Sequence, residues 1–210
     1  MLNHGFYISN KEIATESKDC LRGSWKVAAL TTFVFCLFMI VALSITILTS
    51  IFVEWWFSIP FGILTILLFG IFHYGYSQFC LSIARQETPY ISELFSGFSK
   101  KIGGILKLII KKFFLLLFWL VVFIVPFFVK AIAYSMSTLL MIDKGLKSDV
   151  VIKESKHIMK QNYGRYLKFV FSNILWFLLV LISAGIAIIW VAPKFMTGKA
   201  LFYENLKTEF

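Results

Sequence analysis

The amino-acid sequence predicts an all-α, polytopic helical membrane protein. About six membrane helices are expected, two of the apolar runs folding as short hairpins, with two basic amphipathic helices at the interface. Three observations carry this. First, 59% of the 210 residues are hydrophobic and 18% aromatic, with a mean hydropathy of +0.82; folded in water, such a chain would expose a largely apolar surface. Second, the apolar runs 27–53, 57–84, 113–142 and 166–192 are each long enough, as helix, to cross a hydrocarbon core of about 30 Å. Third, Lys and Arg cluster beside these runs, as the positive-inside rule requires. The net charge of +10 is thereby accounted for, and no nucleic-acid partner is expected.

Residues 1–24 form a cytoplasmic N-terminal segment carrying Lys11, Glu12, Glu16, Lys18, Asp19 and Arg22, a surface helix leading into Trp25 and Lys26. No small-residue cleavage site follows the first run, so that run is expected to stay as the first helix of a membrane domain spanning 25–193. Glu54, Trp55 and Trp56 make a short outer turn, with tryptophans suited to the interfacial belt. In the second run Pro60 lies near the start, and Gly70 and Gly75 favour close helix contact. Thr88 and Pro89 then read as cap and first residue of an amphipathic helix, with Ile91, Leu94, Phe95 and Phe98 on one face and Lys100 and Lys101 at its end. Further on, Ser148 reads as the N-cap of a second basic helix that runs to Lys160. Val151, Ile152, Ser155, Ile158 and Met159 share one face of it, and Lys153, Lys156 and Lys160 lie on the other. Pro193 closes the last apolar run, and 194–210 is an amphipathic cytoplasmic tail.

The run 113–142 decides the topology. As one helix its thirty residues would measure about 45 Å, against a core of about 30 Å. If every run crosses once, thirteen cations lie inside and seven outside. If instead the third run folds back near Pro126 to Lys130 and the fourth near Ser183 to Gly185, twenty lie inside and Lys130 alone outside, at an outer turn. The second split is the one the orientation rule favours. It gives a multi-pass cell-membrane protein with both termini cytoplasmic, at the cost of half-runs that cross only with thinning or snorkelling.

The segments Ile91 to Phe98 (ISELFSGF), Lys130 to Met136 (KAIAYSM), Ile152 to Lys160 (IKESKHIMK), Gly185 to Pro193 (GIAIIWVAP) and Ala200 to Leu206 (ALFYENL) resemble, in order, the landmarks of a bacterial integral-membrane family catalogued as domain of unknown function 975. That family in turn resembles the membrane domain of some glycerophosphoryl diester phosphodiesterases. The resemblance implies a roughly six-helix membrane protein and brings no catalytic residues. The chain departs from the pattern at Phe127 and at Asp143 to Gly145, which leaves two turn geometries open.

The residues themselves offer no enzymatic constellation. No acidic residue lies within a core span, and there is no HExxH, Walker or GxGxxG motif. The three cysteines and three histidines are scattered, so neither a disulfide framework nor a metal site is indicated, and no cofactor is expected. The expected function is non-enzymatic, an accessory or protective role in the envelope such as self-immunity to a membrane-active peptide. The alternative is a small permease or channel with a polar cavity lined by Lys130, Tyr134, Ser135 and Asn173. The expected partners are the bilayer, anionic lipid headgroups facing Lys153, Lys156 and Lys160, and a membrane-active peptide or membrane protein.

Overall fold

A computed structural model describes residues 9–53, 55–99, 102–122 and 124–207. Residues 1–8 of the N-terminal segment, Glu54 of the outer turn, Lys100 and Lys101 of the first amphipathic segment, Phe123 and the last three residues of the tail lie outside the described residues. Every regular element among the described residues is helical. In order they are α1 (Asn10–Cys20), α2 (Trp25–Phe52), α3 (Trp55–Ala84), a 3-10 turn (Ile91–Phe95), α4 (Ser96–Ser99), α5 (Ile102–Val122) and α6 (Ile124–Ala133). There follow α7 (Ser137–Lys144), α8 (Ser148–Lys160), α9 (Tyr163–Ser172), α10 (Ile174–Ile182) and α11 (Ile188–Lys207). At the start, Ser9 and Glu12 form a capping box: the Ser9 hydroxyl satisfies the first turn of α1, and Glu12 reaches back to the Ser9 N–H at 2.6 Å.

Both long runs in the second half of the chain fold back. Ser148 and Ser155, seven residues apart on α8, donate to the carbonyls of Gly104 (3.1 Å) and Ala133 (2.7 Å). A single helix would hold those two carbonyls about 44 Å apart. The Lys130 ammonium also sits 4.8 Å from the centroid of the Trp119 ring, where eleven residues of straight helix would separate the two by about 16 Å. Residues 124–133 are helical, so the expected break at Pro126 to Lys130 falls inside α6. Proline is tolerated in a first helical turn, where its missing N–H has no partner to lose, and Pro126 is the third described residue of α6. Lys130 consequently lies in the last turn of α6 and not at an outer turn. The second reversal falls where it was expected. Ala184 (φ 51°) and Gly185 (φ 91°) turn left-handed, and rings then pair across the hairpin, Phe177 with Phe195 at 5.2 Å and Phe169 with Phe202 at 6.0 Å.

Three sequence expectations change in detail. The segment 91–99 is a 3-10 turn plus one short helical turn, starting after Tyr90, and it does not form one amphipathic helix on the surface. Glycines on both sides draw it against α3. A side chain at Gly75 would collide with the Leu94 carbonyl, and one at Gly97 would stand 2.7 Å from the Ile71 carbonyl oxygen. The N-cap of α8 is Lys147; Ser148 is already helical, its hydroxyl used on Gly104. Finally, α11 runs through Pro193 without a stop, so the end of the last apolar run and the start of the tail are one helix.

The molecule has two zones. Its base is a packed core of α1, the ends of α3 and α5, α7, α8, α9 and the C-terminal half of α11. There Ile13, Phe79, Met136, Leu140, Met159, Phe169, Phe202 and Tyr203 are all but inaccessible. The α8 face built from Val151, Ile152, Ser155, Ile158 and Met159 is buried in it, as its periodicity required. Above the base the helices expose their apolar side chains: α2 beyond Phe33, α3 up to Phe69, α5 from Phe113 to Val121 and α10 from Ile174 to Ile182. Water would penalise that crown at about 25 cal/mol per Å² of apolar surface, and contiguous exposure on this scale marks a lipid-facing surface. Among the described residues three helical stretches, Trp25–Phe52, Ser58–Ala84 and Tyr163–Ile182, are long and apolar enough to cross a membrane. The chain is a helical membrane protein.

Candidate functional site

The strongest polar constellation lies on the base, where the chain ends of three elements meet. Arg85 follows α3 directly, Asp143 is in the last turn of α7, and Tyr203, Glu204 and Lys207 share the end of α11. The Arg85 guanidinium pairs with Asp143 and, at 2.6 and 2.8 Å, with Glu204. Asp143 also accepts from the Tyr203 hydroxyl at 3.0 Å and the Lys207 ammonium at 2.9 Å. Its side chain is 8% exposed. Burial by itself would raise the Asp143 pKa, but the bonds from Arg85, Lys207 and Tyr203 outweigh it and hold the carboxyl below the usual carboxylate range. Burial, and then the Asp143 charge, push the Tyr203 hydroxyl upward. The arrangement offers no free nucleophile or acid; chemically it is a clamp that ties three hairpins together.

The sequence-derived candidates separate into four engagements and one exposed row. Lys130 rests on Trp119. Tyr134 is buried in the core, Ser135 stands in the turn before α7 beside Tyr166, and the Asn173 amide donates to the Phe169 carbonyl at 2.9 Å, where α9 gives way to α10. Lys153, Lys156 and Lys160 are exposed on the outer face of α8. Two further ion pairs, Lys111 with Asp149 and Lys144 with Glu154, flank that helix on the surface.

Sequence reasoning missed the clamp, in which Arg85 bonds residues 58 and 119 positions away in the chain. It also missed a group of bases inside the bundle. His73 of α3 lies within electrostatic reach of Lys112 on α5 and Lys199 on α11, and Lys199 is 9% exposed. A Lys at 112 and another at 199 both read as ordinary members of basic surface segments; only the packing of α5 and α11 against α3 brings them near His73. Among the described residues no group of three His, Cys, Asp or Glu side chains is placed to hold a metal ion.

No curated protein and no solved structure matches the chain. The family described as "Protein of unknown function (DUF975)" matches over residues 7–132 and again over 120–209, the two matches meeting across the hairpin of α5 and α6. The chain therefore belongs to the DUF975 family, whose match covers nearly its whole length.

Proposed function

We propose that this is a non-enzymatic multi-pass protein of a bacterial cell membrane, with its packed base and both termini on the cytoplasmic side, serving an accessory or protective role in the envelope. Its most concrete form is self-immunity to a membrane-active peptide of the bacteriocin type. The observation that supports this reading is the two-zone build. A crown of exposed Phe, Leu and Ile side chains offers a peptide in the bilayer a large apolar surface, while Arg85, Asp143, Glu204 and Lys207 are engaged in the clamp that holds the base. In this arrangement Lys153, Lys156 and Lys160 face anionic lipid headgroups, each contributing about 1 kcal/mol at low salt. Expression in a peptide-sensitive host should raise the peptide concentration needed for killing; an unchanged killing curve at verified membrane expression rejects the immunity form.

Sidedness is tested separately. A single cysteine at the exposed position of Lys153, in a chain with Cys20, Cys36 and Cys80 replaced by alanine, should resist an impermeant maleimide in intact cells and react after permeabilisation. Labelling of intact cells would put α8 on the outer surface and invert the proposed arrangement.

A further inference from the structure

The rim of the base holds a cavity that the clamp does not involve. Lys18, Asp19 and Arg22 around the end of α1, Trp25 at the start of α2, Trp176 of α10, and Trp190 and Lys194 of α11 enclose about 370 Å³, within the ~300–1,000 Å³ typical of ligand sites. Lys194 is 7% exposed, and its ammonium lies 3.7 Å from the centroid of the Trp176 ring. The Lys18 ammonium approaches the same ring, at 5.9 Å. Two cations thus lie over one indole ring, and among the described residues no carboxylate pairs with either. Arg22 adds a third positive charge to the lining and Asp19 the single negative one, leaving an excess that the protein does not neutralise. Burial, and then Lys18, lower the Lys194 pKa to about 8; an anion seated between the two would favour the charged form.

The walls specify the kind of anion. Trp190 is 54% exposed and continues into Ile186 and Ile182, at 66% and 84%, which belong to the apolar crown. The cavity therefore opens at the level where polar base and lipid-facing surface meet, its floor cationic and its side walls indole. Tryptophan is the residue that tolerates this boundary, with an apolar ring and a polar N–H. A soluble anion would gain nothing from the indole walls, whereas a molecule with a charged head and an apolar body matches both surfaces. We infer that this cavity binds the headgroup of an anionic phospholipid, its phosphodiester held by Lys18, Arg22 and Lys194 and its glycerol end lying along Trp190. Basic pockets between membrane helices recognise such headgroups elsewhere by the same charge pairing. The inference rests on the membrane placement proposed above and adds a defined site to it.

The test uses the full chain purified in detergent, with native mass spectrometry counting retained phosphatidylglycerol or phosphatidylcholine. One phosphatidylglycerol per chain should be retained in preference to phosphatidylcholine. The double variant Lys18→Gln, Arg22→Gln, on the exposed side of the site, should weaken retention more than tenfold, at about fivefold per cation. The pair Lys11→Gln, Lys107→Gln, both exposed and outside the cavity lining, should leave it unchanged. Equal retention of the two lipids, or indifference to the Lys18 and Arg22 changes, overturns the site. Displacement of the lipid by equimolar inorganic phosphate also overturns it, by identifying free phosphate as the ligand. Insertion into pure phosphatidylcholine vesicles, read by flotation, separates the two levels. A chain that inserts but shows no anionic preference loses the pocket alone, and one that fails to insert loses the membrane placement as well.

Discussion

Replacing Asp143 with asparagine should destabilise the folded chain in detergent by about 2–4 kcal/mol, the range for breaking a mostly buried, multiply bonded ion pair. The carboxylate receives three partners from two elements, Arg85 after α3 and Tyr203 and Lys207 on α11, and is itself 8% exposed. Asparagine keeps the volume but removes the charge, and it turns an N–H₂ toward donors that need an acceptor. Arg85 retains Glu204, so the guanidinium is not stranded, which keeps the loss below that of an isolated buried charge. The pH dependence has a definite sign. The folded-state pKa of Asp143 is depressed, so its contribution is complete above the ordinary carboxylate value of about 3.9 and disappears as pH falls through the folded value. Thermal unfolding followed from pH 5 down to about pH 1 should therefore show a steeper acid limb in the parent chain than in D143N. Asp149→Asn, which removes the exposed partner of Lys111, should leave the transition unmoved. Equal effects of the two substitutions would mean that the Asp143 network is no more than surface decoration.

The hairpins were legible in the sequence because they follow from local counts. Thirty apolar residues exceed one crossing, and cations fall on one side only if the runs double back. The position of the second bend was also legible, since Gly185 supplies the left-handed backbone a tight reversal needs. The segment Pro126 to Lys130 reads as a break because of its proline, yet it lies within α6; a proline inside a helix and one that ends it look alike without the partner helix. The α8 face was read correctly from its 3.6-residue period. Periodicity failed at 91–99, where the deciding contact is backbone against backbone at Gly75 and Gly97, a contact to which no side-chain pattern refers. Pro193 was read as a stop for a similar reason. The packing of α11 on α1, α2 and α3 outweighs the hydrogen bond that proline forfeits. The clamp and the inward-turned Lys112 and Lys199 are products of tertiary contact between distant elements, which periodicity within one segment does not encode.

Gly75→Ala should cost about 3 kcal/mol, at the upper end of what overpacking a tight site produces. The added methyl would collide with the carbonyl of Leu94 and stand 2.8 Å from that of Glu93. Both obstacles are backbone, so no rotamer change relieves them. The 3-10 turn must back away from α3, uncovering Leu94, which is fully buried, and loosening the Phe72, Tyr76 and Phe79 cluster behind it. Two other glycines calibrate the effect. At Gly70 the obstacle is the Ile109 side chain, 2.5 Å away at its tip, which can rotate, so Gly70→Ala should cost about 1 kcal/mol. At Gly103, in the first turn of α5, a methyl meets nothing within 4 Å, and alanine should stabilise the helix by up to about 1 kcal/mol. Chemical unfolding in detergent should thus rank the chains Gly103→Ala, parent, Gly70→Ala, Gly75→Ala from most to least stable. In the last variant, limited proteolysis should open the segment 85–90, because the turn it leads into has lost its seat on α3. If Gly75→Ala unfolds with the parent and its 85–90 segment stays protected, the turn is not held by backbone contact with α3.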